Sequence, residues 1–368
     1  MLAVMMILGL FTVTAFAEGN PNDATLTGNT VTIGKTYKLE NADTISPAET
    51  FYLLQTGKTS AESSVTGEDI PDLVAITDAG YTGSGKLVGK TMFAEGAASV
   101  AGMRQDIEIE LPAYTAVGIY TYTLHEVDNA TAGVTYWNND IVLVITVMTN
   151  DDGTFYVEAV HCEERIADAP ADEQPAKSDN FTNVYKAAND LSFAKTVSGN
   201  LGDRDKYFDF TVTFTGETGK DYSDATTVTV SGGSHTSNPV TVDITSGSAT
   251  VNFKLKHGET LHFCNIPYGM TYAYSESDYS SDGYATTYPQ VGTGVISDET
   301  GKEIMADDVS GTINFASKSY TVNNEKNGEI DTGIILDNLP YMMALAVVLI
   351  GGIVFFVSKN RKKAEDRV

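Results

Sequence analysis

Apolar and polar residues alternate along most of the chain, which is the pattern of half-buried β-strands. Turn residues, for example Asn150-Asp151-Asp152-Gly153, separate the alternating runs. The first set of predicted strands comprises Val31–Leu39, Val117–Val127, Ile141–Met148, Phe155–Val160 and Phe181–Tyr185. The second set comprises Leu191–Val197, Tyr207–Thr215, Ala225–Val230, Thr241–Ile244, Ala249–Leu255, Thr260–Ile266, Thr271–Glu276 and Tyr320–Asn324. Many short strands joined by turns predict an all-β protein with two tandem antiparallel β-sandwich domains.

The chain opens with an apolar run, Met1–Ala17, that does not alternate. The run ends in Ala15-Phe16-Ala17, which matches the small-residue cleavage site of a secretory signal peptide. The basic residues that usually precede such a run are missing, as in a truncated signal peptide. A buried helix is the alternative interpretation. We expect a signal peptide and therefore a secreted protein.

A second uninterrupted apolar run, Leu339–Val357, is long enough to cross a bilayer as a helix, and a basic tail follows it. Just upstream, Thr332 and Gly333 follow Ile330 and Asp331. This order of Thr-Gly, apolar span and basic tail resembles the cell-wall sorting signal of Gram-positive surface proteins, with Asp331 where that signal most often has proline. The resemblance implies that a sortase cuts after Thr332 and joins it to an amine. A plain single-span membrane protein is the alternative.

Charge and cysteine content narrow the range of functions. The chain carries 23 Lys+Arg against 49 Asp+Glu, a net charge of −26, which argues against binding to nucleic acid. Its 2 Cys cannot build a disulfide framework, so a secreted chain of this kind needs another brace. We predict a signal peptide at 1–17, a first domain at 18–187, a second domain at 188–328 and a sorting signal at 329–368.

Three polar residues stand at inward positions of the predicted strands, in the same order in both domains. Residues two apart in a strand share a face, so a polar residue in phase with apolar ones points into the core. The residues that do so are Lys35, Glu126 and Asn183 in the first domain, and Lys195, Glu276 and Asn324 in the second. Asn323 faces the other way. Each glutamate ends a Tyr-x-(Leu/Tyr)-x-Glu motif, and a glycine follows at Gly133 or Gly283, which supports a repeat.

Burial of a lysine, a glutamate and an asparagine is costly unless the three groups interact. One interpretation is a buried ion pair that hydrogen-bonds to the asparagine. The other is a reaction, because an apolar core favours the neutral amine, which is a nucleophile, and the protonated carboxyl, which can polarise the carboxamide and move protons. The product would be a Lys–Asn isopeptide bond, with ammonia released. The same order in two domains favours the reaction.

These motifs resemble those of the backbone pilins that sortases assemble on Gram-positive bacteria, the T-antigen type with tandem isopeptide-bonded Ig-like domains. The segments that carry the resemblance are Val31–Lys35, Tyr122–Glu126, Phe181–Asn183, Leu191–Asp203 and Lys206–Phe210. The resemblance implies that the two domains are Ig-like β-sandwiches, and it assigns a role to each inward polar residue. The assignments are isopeptide bonds Lys35–Asn183 and Lys195–Asn324, with catalytic Glu126 and Glu276.

In this family a sortase joins the C-terminal threonine of one subunit to a lysine shortly before the first domain's asparagine in the next subunit. Lys177 precedes Asn183 in an acidic stretch and is the candidate acceptor, with Lys186 as the next candidate. The resemblance further implies a wall-anchored extracellular pilus whose precursor the C-terminal helix holds in the membrane. Its partners would be the sortase, other copies of the chain, tip or basal pilins, and peptidoglycan.

Other chemistry has little support in the sequence. His161-Cys162 and His262-Phe263-Cys264 lack the spacing of zinc ligands, so we expect no metal and no cofactor. No motif of an enzyme with a diffusible substrate is present, and the expected isopeptide chemistry turns over once. Two functions remain. One is a structural pilin subunit that a sortase polymerises, and the other is a wall-anchored adhesin or stalk with the same domains that is not polymerised.

Overall fold

The computed structural model describes residues 24–166, 177–224, 228–233, 235–288, 290–291, 310–328 and 339–365. Within these ranges the protein is built of β-strands, with an α-helix near the C-terminus. The all-β prediction is therefore confirmed. The predicted signal peptide, Met1–Ala17, and the sorting motif, Ile330–Gly333, lie outside the described residues.

Ten strands form two five-stranded sheets in the first part of the chain. They are β1 (Thr25–Thr27), β2 (Thr30–Leu39), β3 (Glu49–Ala61), β4 (Lys86–Phe93), β5 (Met103–Glu110), β6 (Gly118–Glu126), β7 (Val134–Thr135), β8 (Asp140–Thr149), β9 (Phe155–Arg165) and β10 (Asn180–Tyr185). One sheet has the order β1-β2-β10-β7, with β5 also on β2, and the other has the order β4-β3-β6-β8-β9. Apolar residues of both sheets, among them Ile107, Tyr122, Leu143 and Phe181, form the shared core.

The second part of the chain repeats this architecture. Its strands are β11 (Ala187–Ala188), β12 (Asp190–Ser198), β13 (Phe208–Thr215), β14 (Val228–Gly232), β15 (His235–Val242), β16 (Ser248–Leu255), β17 (Thr260–Cys264), β18 (Ile266–Pro267), β19 (Thr271–Glu276), β20 (Ala285–Thr287), β21 (Gln290–Val291), β22 (Ser310–Thr312) and β23 (Ser317–Glu325). A seven-stranded sheet, β15-β14-β17-β12-β23-β20 with β21 on β23, packs against the four-stranded sheet β16-β13-β19-β22. Aromatic residues dominate the core between them, including Phe193, Phe253, Phe263, Tyr274 and Tyr320.

Each sandwich contains one parallel pair of strands, β2 with β10 and β12 with β23, while its other strand pairs are antiparallel. In the first pair Asn183 is opposite Tyr37, two residues after Lys35. In the second pair Asn324 is opposite Val197, two residues after Lys195. Residues two apart point to the same side of a strand, so each register brings a lysine and an asparagine together on the inner face.

Backbone hydrogen bonds join the two sandwiches. β11 pairs with β18, and the Tyr268 N–H donates to the Lys186 carbonyl at 3.0 Å. On the other side, the Asp221 N–H donates to the Ala130 carbonyl, and the Ala132 N–H donates to the Asp221 carbonyl, both at 2.8 Å. The loop that follows β6 is thereby held against the second sandwich.

The helix α1 (Leu339–Glu365) follows the second sandwich. Its segment Pro340–Asn360 is long and apolar enough to cross a membrane, and none of the apolar window within it is buried against the rest of the protein. The predicted span, Leu339–Val357, lies within this helix.

The sequence pattern misses β3, β4 and β5 and misplaces β15. In β3 the pairing register shifts between Leu53 and Leu54 and again between Gln55 and Gly57, and such bulges interrupt the two-residue period. The prediction Thr241–Ile244 is wrong, since β15 ends at Val242. The predicted strand Thr260–Ile266 is divided at Asn265, whose φ of 64° breaks the extended backbone between β17 and β18.

The two glycines of the repeated motif offer a test of the fold. Both have positive φ, 76° at Gly133 and 83° at Gly283. A Cβ at Gly133 would also lie 2.7 Å from the Lys186 carbonyl oxygen, whereas at Gly283 it would meet only the Lys326 side chain at 3.4 Å. We expect Gly283→Ala to destabilise the protein by roughly 1–2 kcal/mol, the cost of the left-handed backbone, and Gly133→Ala to destabilise it more. Thermal melting followed by circular dichroism checks this order, and equal shifts would contradict it.

Candidate functional site

Lys35, Glu126 and Asn183 meet in the core of the first sandwich, on β2, β6 and β10, and no more than 1% of any of them is exposed. The Lys35 Nζ donates a hydrogen bond to the Asn183 Oδ1 at 2.7 Å and another to the Glu126 Oε2. The Asn183 Nδ2 donates to the Glu126 Oε1. The three side chains, here called the first triad, therefore form a closed ring of contacts.

Lys195, Glu276 and Asn324 form a second triad on β12, β19 and β23. The Lys195 Nζ donates to the Glu276 Oε2 at 2.9 Å, and the Asn324 Nδ2 donates to the Glu276 Oε1. The buried Asn324 Oδ1 has no hydrogen-bond partner among the described residues, unlike the Oδ1 of Asn183. The two triads share their residue types and their glutamate contacts but differ at the carboxamide oxygen.

Aromatic rings surround both amines in place of water. The Lys35 Nζ lies 4.7 Å from the centroid of the Phe51 ring. The Lys195 Nζ lies 4.3 Å from the Phe208 centroid and 5.6 Å from that of Phe210. A ring face attracts an ammonium group but solvates it less well than water does, so these environments disfavour the charged amine.

Burial shifts the ionisation of both lysines toward the neutral amine. It lowers the pKa of Lys35, although the neighbouring Glu126 carboxylate acts in the opposite direction. Burial likewise lowers the pKa of Lys195, to about 8, again against the effect of Glu276. For Glu276, burial raises the pKa, and Lys195 opposes this shift. The environment thus favours a neutral amine beside a protonated carboxyl group.

The arrangement can support attack of the amine on the carboxamide. In each triad one glutamate oxygen contacts the lysine nitrogen, and the other contacts the asparagine nitrogen. A carboxyl group placed in this way can accept a proton from the amine and supply one to the leaving nitrogen. The neighbouring Asn323 is oriented differently, since its side chain bonds to Thr196 and Ser198.

Two contacts of the glutamates were not indicated by strand alternation. The Trp137 backbone N–H donates to the Glu126 Oε1 at 3.2 Å, and Trp137 follows β7 in irregular backbone. In the second triad, the Glu276 backbone N–H donates to the Tyr288 hydroxyl at 3.1 Å. Neither residue stands in a strand whose period would have pointed to it; their only signal is a position shortly after Gly133 and Gly283.

Lys177 and Lys186 lie outside both triads. Lys177 is exposed, its backbone forms an isolated bridge to Glu163 beside β9, and no carboxylate pairs with its amine among the described residues. The Lys186 Nζ lies 3.5 Å from a carboxylate oxygen of Glu40, at the junction of the sandwiches. Lys177 is therefore the less engaged of the two amines.

The histidines and cysteines form no centre of their own in the part of the chain that the structure describes. No three His, Cys, Asp or Glu residues cluster there in a way that could hold a metal ion. Cys162 and Cys264 are free thiols. Burial raises the pKa of Cys162 to about 12, which makes its thiol unreactive at neutral pH.

Family models match both sandwiches. Residues 31–186 match the Spy0128-like isopeptide containing domain, and residues 189–326 match a domain of unknown function, DUF7601. A curated protein named pilin, from Streptococcus pyogenes serotype M1, is 29% identical over 175 residues. That match spans 46% of this chain and 48% of the relative, so the chain covers about half the length of the relative.

Solved structures with the same fold include pilins. The crystal structure of the major pilin from Streptococcus pyogenes is similar over 82% of this chain and all of that chain, with a TM-score of 0.51 and 19% identity. The major pilin T3.2 from Streptococcus pyogenes covers 81% of this chain and 98% of its own length, with a TM-score of 0.49 and 20% identity. On the match of its first sandwich, the chain belongs to the family of Spy0128-like isopeptide-containing pilin domains.

Proposed function

We propose that this protein is the structural subunit of a Gram-positive surface pilus, stabilised by one Lys–Asn isopeptide bond in each sandwich. Residues 18–187 and 188–328 are its two domains. The observation that carries the proposal is the repetition of a buried Lys–Glu–Asn triad with the same strand register in both sandwiches. A buried ion pair alone contributes little to stability, so its occurrence twice, each time beside a carboxamide, favours a covalent product.

Each bond forms in one turnover without a cofactor. The neutral Lys35 amine attacks the Asn183 Cγ, and the Nζ–Cγ bond forms as the Cγ–Nδ2 bond breaks. Glu126 accepts a proton from the amine and gives one to the departing nitrogen, which leaves as ammonia. Glu126 returns to its starting state, so the balance is one amine and one amide converted to one isopeptide bond and one ammonia. Lys195, Glu276 and Asn324 react in the same way.

Subunits are joined by a sortase that transfers Thr332 of one copy to the Lys177 amine of the next. Support comes from the exposure of Lys177, from the Thr-Gly sequence upstream of the apolar helix, and from the pilin relative. A donor at one end and an acceptor elsewhere form a heterologous contact that does not close, so it generates a filament. The filament is finally attached to the wall, and α1 holds the precursor in the membrane until the sortase cleaves it.

The first prediction concerns mass. The folded ectodomain, residues 18–332, should be lighter than its sequence by two ammonia molecules. Glu126→Ala and Glu276→Ala should each restore one ammonia, because the proton transfer fails in one triad only. Intact-mass spectrometry measures both changes. Asn323→Ala is the matched control for Asn324→Ala and should keep both bonds, because Asn323 points away from the triad. A wild-type mass equal to that of the sequence would refute the proposal.

The second prediction concerns load. Force on the filament enters at Lys177 and leaves at Thr332, so the chain that precedes Lys177 is not in series with the load. The Lys195–Asn324 bond spans nearly all of the second sandwich, and without it a loop with a contour length of roughly 400 Å can extend. The same bond closes a loop worth roughly 5 kcal/mol in the chain-entropy model of cross-links. Lys195→Ala should therefore make the filament extensible, whereas Lys35→Ala should not.

Single-molecule pulling of extracted filaments measures this difference. Melting of the isolated ectodomain is the control, because there each substitution should lower the stability of its own sandwich. Extension of the Lys35→Ala filament to the same degree as that of Lys195→Ala would show that the load follows another path.

The third prediction concerns polymerisation. Wall extracts should contain a ladder of covalent multimers that survives boiling in detergent. Lys177→Ala should reduce it to monomer, and Lys186→Ala, the matched control at the junction, should leave it unchanged. Immunoblotting reads both results. A ladder lost only in Lys186→Ala would transfer the acceptor role to Lys186, and the absence of a ladder from the wild type would favour the wall-anchored adhesin or stalk.

A further inference from the structure

A cavity of about 320 Å³ lies beside the first triad, where the two sandwiches meet. Its wall includes Glu126 and the segment from Val134 to Asn138, and Lys220 of the second sandwich lines it from the other side. Thr135 and Asn138 are exposed, so the cavity is open to solvent at these residues. A buried reaction centre thus has a passage to the surface on one side.

The contacts of Glu126 show which side of the triad faces this cavity. The Lys35 amine contacts the Oε2, whereas the Asn183 Nδ2 and the Trp137 backbone N–H both donate to the Oε1. Trp137 is itself part of the cavity wall. The leaving nitrogen of Asn183 therefore departs on the Oε1 side, toward the cavity and away from the attacking lysine.

The indole of Trp137 adds a second, independent observation. Its Nε1 is buried and has no hydrogen-bond partner among the described residues. A buried N–H donor without a partner is unfavourable unless a small acceptor can reach it. Ammonia and water each have a lone pair and a size that suit this position, so the wall offers a polar contact to a small molecule that moves through the cavity.

We propose that the cavity is the route by which ammonia leaves the first triad, with Trp137 as a positioning residue at its inner end. The inference rests on the proposed bond between Lys35 and Asn183. Ammonia held beside the new bond would be present at a high effective concentration and could attack the Cγ in the reverse direction, which would restore the amide and the amine. Escape through the cavity makes the bond irreversible.

The second triad provides a reference within the same molecule. There the fully buried Tyr288 accepts the Glu276 backbone N–H, and Glu276 has no corresponding contact with a cavity-lining tryptophan. A substitution that blocks the cavity should thus delay the loss of the first ammonia and leave the second unchanged.

The experiment fills the cavity from opposite walls. Thr135→Trp and Lys220→Trp are made in the full ectodomain, with Thr59→Trp, at an exposed strand position outside the cavity, as the matched control. Newly synthesised protein is sampled over time by intact mass, and cross-linked peptides distinguish Lys35–Asn183 from Lys195–Asn324. Both filled variants should form the first bond several-fold more slowly than wild type, and the second bond at the wild-type rate.

Each outcome has a separate meaning. An unchanged rate of the first bond in both filled variants would overturn the exit route while leaving the isopeptide proposal intact. Equal slowing of both bonds, or the same slowing in Thr59→Trp, would indicate an effect on folding and would also overturn it. Absence of the Lys35–Asn183 bond from the wild type would instead refute the proposed function. Lys220→Ala, which widens the mouth, should not slow either bond.

Discussion

The parallel pairing of β2 with β10, and of β12 with β23, places two distant segments of each sandwich side by side in a fixed register. In both pairs the asparagine is opposite the residue two positions after the lysine, so the two side chains enter the core together. A slip of one residue would turn one of them to the other face of the sheet. The buried triads, and the chemistry proposed for them, depend on this register.

The register also creates an energetic problem that a covalent bond would resolve. A lysine and a glutamate with almost no exposure have lost their hydration, and their mutual attraction offsets that loss only in part. The aromatic rings beside the amines and the lowered pKa values of Lys35 and Lys195 reflect the same loss. Conversion to an amide removes both the charge of the lysine and the need for a counter-ion, so the features that destabilise the unreacted core are those that promote the reaction.

The two sandwiches use the same triad in different surroundings. The first triad lies near the junction, where a cavity and the Trp137 backbone reach Glu126, and the second is enclosed by buried tyrosines. The load path proposed for the filament separates them further, because it crosses the second sandwich and only β10 of the first. Similar chemistry can thus serve two mechanical roles, bearing load in one sandwich and retaining a side domain in the other.

Strand alternation alone determined which polar residues point inward, because a period of two needs no knowledge of the partner strand. The order Lys, Glu, Asn in both halves, the apolar helix and the predominance of β-structure were therefore readable from the sequence. Bulges in β3 hid that strand, since one extra residue inverts the alternation after it. Only the tertiary structure decided that the asparagines stand beside the lysines, that Asn324 lacks the carboxamide contact of Asn183, and that Trp137 and Lys220 meet beside Glu126. These relations join residues far apart in the chain, and local pattern carries no information about which strands pair or which loops meet.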